Sequence, residues 1–420
     1  MATIDLTRAT ELHLASMISD SSSPEAAALS ILTYLRTAAP TPSSKRTVTT
    51  PSLHLTGASL YEALTFLKRA IPSRSLVLSL TYVRITCKLG AITLRTTDGE
   101  HFYTATLDAP SHPPIDTLVP FNDLHKLIRS LKKSVIRFAV TDETVDIYAD
   151  NELSMSFQHT ISIDEFYGFP TTGAQLYSES YTIDFLKRIV PFTSDDDSHP
   201  VLQSIHIASD HTASADGFVL FYEPAKRAKD TDYLLSKQLI LDATKHIKSN
   251  ISASWSATDD ATTHLTTLSG TLRHGASVTL SSLMDRGTFP DVKRIISATT
   301  NTKVRISRLD FLDTLKKVQP VAAQLANIVR LDITDKDIHA SVEIGSASMV
   351  LSTPCVNETG DFLTIGFSVV FLIEAITSLP CDELLLSFNA ANQAATLEAS
   401  DLSSGIDAKI VIMPMQPGKG

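Results

Sequence analysis

Three short basic segments recur along the chain with nearly the same surroundings: Phe66-Leu67-Lys68-Arg69, Phe185-Leu186-Lys187-Arg188 and Thr314-Leu315-Lys316-Lys317. They lie 119 residues (67 to 186) and then 129 residues (186 to 315) apart. In each copy a short amphipathic helix carrying a basic pair leads into a β-rich stretch. Solenoid units recur every ~20 to 50 residues, so a period this long marks repeated domains, each large enough for its own core. The expectation is an α+β chain of three similar domains, 52–175, 176–300 and 301–420, behind an extension of residues 1–51.

Residues 1–51 read differently from the rest. Ser23-Pro24-Glu25 followed by Ala26 to Arg36 has the signature of a capped helix, with Ser at the N-cap and Pro in the first turn. Pro40 to Pro51 is rich in Pro, Ser and Thr and reads as a linker. From residue 52 each copy divides into two halves, helix first and strands after. The first copy has a helix Ala58 to Ile71, alternation at Leu76, Leu78 and Leu80, strands near Val83 to Leu94, and a turn at Thr97-Asp98-Gly99. A second helix, Leu124 to Lys132, is capped by Phe121-Asn122-Asp123, and strands follow at Val135 to Val140, Val145 to Tyr148 and Leu153 to Phe157. The second copy has helices Thr182 to Val190 and Ser236 to Ser249, the third Arg308 to Val318 and Phe367 to Leu379, again followed by hairpin-like strands.

Each helix must bury one apolar face on its sheet, as Leu64, Leu67 and Ile71 would, which leaves the other face for charge. That face is basic in five of the six helices: Lys68 and Arg69; Lys126, Arg129, Lys132 and Lys133; Lys187 and Arg188; Lys237, Lys245 and Lys248; Arg308, Lys316 and Lys317. The helix at Phe367 to Leu379 departs from this pattern, its one charge being Glu374. A basic pair late in one helix complements the helix dipole and needs no further explanation. Five equivalent helices in a chain of net charge −10 point instead to a shared electropositive surface for phosphates. Aromatics do not interleave with these bases and no zinc-finger spacing occurs, so the contact expected is with a duplex backbone, independent of sequence.

Several local motifs resemble the bacterial sliding clamp family, the beta subunit of the replicative DNA polymerase. Phe289-Pro290-Asp291-Val292-Lys293-Arg294-Ile295-Ile296 is similar to the Phe-Pro-Asp-Tyr-Arg-Arg-Val-Leu segment that ends the family's second domain. Val411-Ile412-Met413-Pro414-Met415 is similar to its Val-Val-Met-Pro-Met ending. His199-Pro200-Val201-Leu202 and Ala215-Asp216-Gly217 match parts of its second-domain sheet, and Phe169-Pro170 the close of its first. Such motifs in the correct order form a specific signal, covering about residues 52–416. The resemblance implies the DNA-clamp fold, in which each domain has two helix-plus-antiparallel-sheet halves and two copies close head to tail into a ring around double-stranded DNA. It also implies a non-catalytic processivity factor, a homodimer served by a clamp loader, that tethers DNA polymerase and other proteins carrying a clamp-binding motif. Carried over by motif, the pocket for their peptides would use Leu202, Gly217, Leu220, Pro290, Arg294, Ile295, Val411, Met413, Pro414 and Met415. Phe218-Val219 replaces the usual His-Arg after Asp-Gly, and Gln416 the usual Arg after Met-Pro-Met. The alternative is a clamp-fold scaffold or inhibitor paralogue that binds partners without encircling DNA.

Catalytic signatures are missing from the sequence: it contains no Gly-rich phosphate loop, HExxH or GxSxG, and no cofactor is expected. Asp195-Asp196-Asp197 with His199 offers oxygen ligands but reads as a solvated loop, so no metal is expected. Three cysteines without a CxxC, at Cys87, Cys355 and Cys381, suggest core residues in a reducing compartment. Asp5, Arg8, Glu11 and Asp20 interrupt any signal-like apolar stretch, and no run approaches the ~18 apolar residues of a membrane span. A cytoplasmic protein is the expectation.

Overall fold

The computed structural model describes residues 55–109, 112–259, 263–285, 287–296, 301–324, 326–359, 362–400 and 405–415. The chain divides into two units, Met1–Pro51 and Ser52–Gly420, and every described residue belongs to the second. The expected helix at 26–36 and the linker after it lie outside the described residues.

A strand–helix–three-strand pattern runs through the second unit. The first domain contains helices α1 (Gly57–Leu67) and α2 (Phe121–Ser130) with strands β1 (Tyr82–Lys88), β2 (Ala91–Thr97), β3 (His101–Asp108), β4 (Ile115–Pro120), β5 (Ile136–Val140), β6 (Thr144–Ala149) and β7 (Glu152–Gln158). The second contains α3 (Ile183–Ile189) and α4 (Lys237–His246) with β8 (Gln175–Tyr181), β9 (Ser204–Ala208), β10 (His211–Ala215), β11 (Val219–Pro224), β12 (Asp232–Ser236), β13 (Ile251–Ala257), β14 (Thr263–Thr271) and β15 (Ser277–Asp285). The third contains α5 (Arg308–Ala322) and α6 (Val369–Ser378) with β16 (Thr302–Ser307), β17 (Ile328–Ile333), β18 (Asp337–Ile344), β19 (Ala347–Asn357), β20 (Leu363–Ser368), β21 (Glu383–Phe388), β22 (Ala395–Ala399) and β23 (Lys409–Ile412).

The strand that opens each half is the part the sequence reading missed. It crosses over and pairs in the sheet of the other half: β4 with β1, β8 with β13, β12 with β9, β16 with β21 and β20 with β17. Thr56, just before α1, makes the equivalent bridge to Val135. Crossing over ties the two halves of a domain together through backbone hydrogen bonds as well as through the packed helix pair above them.

Sheets also continue across domain boundaries. Strand β3 pairs with β15, giving an eight-stranded sheet in the order β4-β1-β2-β3-β15-β14-β13-β8. Strand β11 pairs with β23, giving a twelve-stranded sheet in the order β12-β9-β10-β11-β23-β22-β21-β16-β19-β18-β17-β20. The remaining three strands form the sheet β5-β6-β7.

Apolar helix faces lie on these sheets as expected. Leu60, Leu64 and Leu67 of α1, Leu124 and Ile128 of α2, Leu239 and Ile240 of α4, and Leu372 and Ile376 of α6 are all buried. Burying each such side chain contributes about 1.5 to 3 kcal/mol. Cys87 and Cys381 are buried as well, while Cys355 is half-buried and its thiol is pushed up to about 11 by that burial. No helix among the described residues is long and apolar enough to cross a membrane.

Some local expectations are corrected. Leu76 and Leu78 do not belong to a strand: they are exposed, and β1 starts only at Tyr82. An alternating run makes a strand only where a neighbour accepts its hydrogen bonds, and this one has none. The helix expected to end at Val318 runs on to Ala322 through Pro320, which has no N–H to give to the carbonyl one turn earlier. The helix expected over Phe367 to Leu379 is α6, with Ser368 accepting from the Phe371 amide as N-cap.

Candidate functional site

The basic helix faces do not all point one way. Lys68, Arg129, Lys132, Lys133, Lys187, Lys245, Lys248 and Lys316 are exposed. Lys132 also lies over the Tyr61 ring, 3.7 Å from its centre. Lys126 and Lys317 are exposed too, held loosely to Asp123 and Asp313 one turn away. Surface pairs of that kind are worth little and leave the charge available to a phosphate.

Three expected phosphate contacts are corrected by their surroundings. Arg188 turns inward and holds Glu223 at 2.7 Å, with only 13% of its side chain exposed. Lys237 binds Asp195 at 2.6 Å and the Thr193 carbonyl at 3.1 Å. Arg69 donates through Nε to Asp242 across the boundary between the first and second domains, at 2.6 Å. A guanidinium already satisfied by a carboxylate gains little from a phosphate, since the internal pair must first be broken. Asp195, expected in a solvated loop, is thereby the anchor of Lys237, while Asp196 accepts from Ser198 and Asp197 from Gln203.

Of the ten residues expected to form a peptide pocket, Leu202, Leu220 and Val411 come together where the second and third domains share a sheet. Leu220 of β11 stands directly across from Val411 of β23, and both are buried. With Ala213, Leu234, Phe289 and Val292 they form a small apolar cluster separate from the main core, and Leu202 packs against it. Met413 continues past β23, its amide donating to the Phe218 carbonyl at 2.8 Å, and Met415 is tied likewise to Gly366 at 2.8 Å. Ile295 and Met413 are exposed beside this floor at 46% and 41%, as is Phe218 at 54%. Pro290 and Arg294 are exposed and Pro414 is half-buried, with Arg294 in reach of Asp291 at 3.1 Å. Gly217 has φ +97° and open space where a Cβ would stand, which suits a turn that lies against a ligand. An apolar floor with exposed apolar edges and few polar anchors is what an amphipathic peptide needs.

Behind the pocket lies a group the sequence did not reveal. The His206 ring stacks on Phe289 with centroids 4.8 Å apart and meets the His211 ring edge-on at 5.2 Å. His206 binds Asp232 at 2.8 Å, and His211 binds Asp210 at 2.7 Å. Asp210 in turn pairs with Lys293 at the start of the short helix Lys293–Ile296, so one carboxylate fastens the segment that carries half the rim. The Lys293 ammonium and His211 hold the Asp210 carboxyl down at about 2. A depressed folded-state value means stability that is full above the ordinary carboxylate range and is lost as pH falls toward 2. The urea midpoint of the wild type is therefore expected to fall between pH 5 and pH 2.5 more than that of Asp210→Asn. Parallel loss in the two proteins would remove this carboxylate from the account.

Repeated half-domains with crossed opening strands and sheets running through the domain boundaries define the DNA-clamp fold. Residues 293–416 match the family model of the DNA polymerase III beta subunit, C-terminal domain. A beta sliding clamp of Streptococcus pneumoniae is 28% identical over 119 residues, and the match spans 27% of this chain and 31% of that protein. A "beta sliding clamp homolog GriR" of Streptomyces muensis is 22% identical over 375 residues, 85% of this chain and 97% of its own. In structure, the beta subunit from the DNA polymerase of Streptococcus pyogenes superposes with a TM-score of 0.75 at 16% identity, covering 86% of this chain and 99% of that one. A sliding clamp from Bartonella birtlesii bound to griselimycin gives 0.73 at 20% identity, with 86% and 98% covered. The chain has the fold of the bacterial sliding clamps, the beta subunits of DNA polymerase III, and its residues 293–416 match the C-terminal domain of that family.

Proposed function

We propose that two copies of this chain close head to tail around duplex DNA and tether a DNA polymerase and other motif-bearing proteins to it, without catalysis of their own. The observation that carries this reading is two unpaired stretches of strand edge, one in the first domain and one in the third. Strand β7 pairs only with β6 among the described residues and exposes Leu153 and Met155 at 57% and 39%. Residues 347–354 of β19 pair only with β18 among the described residues and expose Val350 at 56%. Unpaired edges with apolar side chains invite a further strand, and natural sheets cover them when they are this long. One edge belongs to the first domain and the other to the third, so joining unlike ends twice closes a ring.

Such a ring needs no tight grip on DNA, because retention is topological. The eight exposed lysines and arginines that form no ion pair among the described residues would supply a weak, sequence-independent field for phosphates. A clamp loader would be needed to open the ring. The internal pairing of Arg188 and Lys237, and the absence of a basic residue from α6, favour the second reading, a clamp-fold scaffold that binds partners off DNA.

Retention separates the two. Once loaded, the protein is expected to stay on nicked circular DNA and to leave linear DNA within the same interval, read by gel filtration of the complexes. Equal loss from both would leave only the scaffold reading. Met413→Ala combined with Pro290→Ala removes rim contacts alone. It is expected to keep retention on circles while weakening a clamp-binding polymerase peptide about tenfold, or ~1.4 kcal/mol; unchanged affinity would move the peptide site elsewhere.

A further inference from the structure

The two inter-domain seams differ in one respect that the internal repeat makes visible. Asp98-Gly99 and Asp216-Gly217 are equivalent turns, so Tyr103, five residues after Asp98, corresponds to Phe221, five residues after Asp216. Arg69 likewise corresponds to Arg188 in the repeated basic segment. Counting from the helix starts, Asp242 of α4 corresponds to Glu374 of α6. At the first seam these equivalents form a closed polar group: Asp242, 1% exposed, accepts from Arg69 at 2.6 Å and from the Tyr103 hydroxyl at 2.6 Å. An arginine and an aromatic hydroxyl of one domain thus fill the notch in front of the next domain's second helix.

At the second seam neither donor is in place. Phe221 has no hydroxyl, and Arg188 is drawn away to Glu223 at 2.7 Å. What remains is a cleft of about 790 Å³ between α3 and α6, with Phe185, Pro191, Ile373 and Ile406 among its apolar walls, Asp184 and Glu374 as its acids, and Lys187 and Arg188 on the α3 side of its lining. Glu374 makes no hydrogen bond or ion pair among the described residues, and burial pushes its carboxyl up, with Asp216 adding to the effect. A half-buried carboxylate left without a donor costs free energy that a cationic donor would recover.

We propose that this cleft binds a partner peptide through an arginine side chain next to an aromatic residue, the pair that the chain itself supplies at the first seam. Glu374 takes the guanidinium, and Phe185, Ile373 and Pro191 cover the ring. The volume is in the range of sites for a ligand of two or three side chains. The site lies on the helix side of the second seam, beside Lys187 of the DNA reading, and is separate from the pocket around Leu220 and Val411.

The test is a titration of acetyl-Arg-Tyr-amide into the full-length protein carrying labelled isoleucine methyl groups, followed by NMR. Saturable shifts are expected at Ile373 and Ile406, with Ile295 at the other pocket unmoved. Acetyl-citrulline-Tyr-amide, the same shape without the charge, is expected to bind at least about tenfold more weakly to the wild-type protein. Glu374→Gln is expected to weaken the arginine peptide by a similar factor. Equal binding of the two peptides, equal binding to Glu374→Gln, or no shifts at Ile373 and Ile406 up to about 20 mM peptide, a Kd weaker than ~2.3 kcal/mol of binding, would overturn the proposal.

Discussion

Asp242→Ala is expected to lower the unfolding free energy by about 3 kcal/mol, the largest loss from any single polar substitution at the first seam. The carboxylate is buried and satisfies three donors from two domains: Arg69, Tyr103 and, at 2.9 Å, Gln238. Removing it strands the Tyr103 hydroxyl, itself 2% exposed, at a cost of about 1 to 3 kcal/mol. Arg69 is 42% exposed at its side chain and recovers water, so its share is the smaller one. Tyr103→Phe, which removes one donor and leaves the carboxylate paired with Arg69, is expected to cost only about 1 kcal/mol. In the double variant the loss should fall below the sum of the single ones, because the stranded hydroxyl is then gone. Trp255, the only tryptophan, is buried in β13 of the second domain and reports the unfolding of that side of the seam in urea. Additive losses in the cycle would show that Tyr103 and Asp242 are not coupled.

Leu153→Asp together with Val350→Asp is expected to turn the proposed dimer into a monomer at micromolar concentration, a rise of at least about a hundredfold in the dissociation constant, or ~2.7 kcal/mol. Each substitution puts a charge on one of the edges that the ring would join, and carboxylates at such an edge oppose strand addition. Both side chains are already solvent-exposed in the single chain, so the fold of the monomer should keep its circular dichroism and melting temperature. Light scattering decides the matter: a dimer of unchanged affinity would place the interface away from β7 and β19. Loss of retention on circular DNA should accompany loss of the dimer.

The helices were legible because their apolar residues recur at helical spacing and their charges sit on the other face, as Leu64, Leu67 and Lys68 show. The opening strands were not. Strand β8 is mostly exposed and reads as polar, and β4 is short; each finds its partner at least 28 residues away (87 to 115), and nothing in a local window records that pairing. The pocket floor at Leu220 and Val411 was reached through motif resemblance, and the fold places the two side by side. His206 carries no such mark; its role comes from a ring stack on Phe289, 83 positions away (206 to 289). The same holds for the charges. Lys187 and Arg188 are neighbours in sequence, yet one is exposed and the other reaches Glu223, a difference set by helix rotation rather than by residue type.

Because β3 bonds to β15 through six residue pairs and β11 to β23 through four, the divisions of the gene product into domains and the divisions of its hydrogen-bonded sheets fall out of step. Cutting the chain between two domains would not release a finished module. It would leave each piece with a freshly bared strand and half of a shared barrier of side chains. Grafting a single domain from another clamp would meet the same obstacle, since the donor must match the host's strand register as well as its surface. A lineage of such chains is therefore free to diverge by substitution along its length but poorly placed to evolve by shuffling its parts.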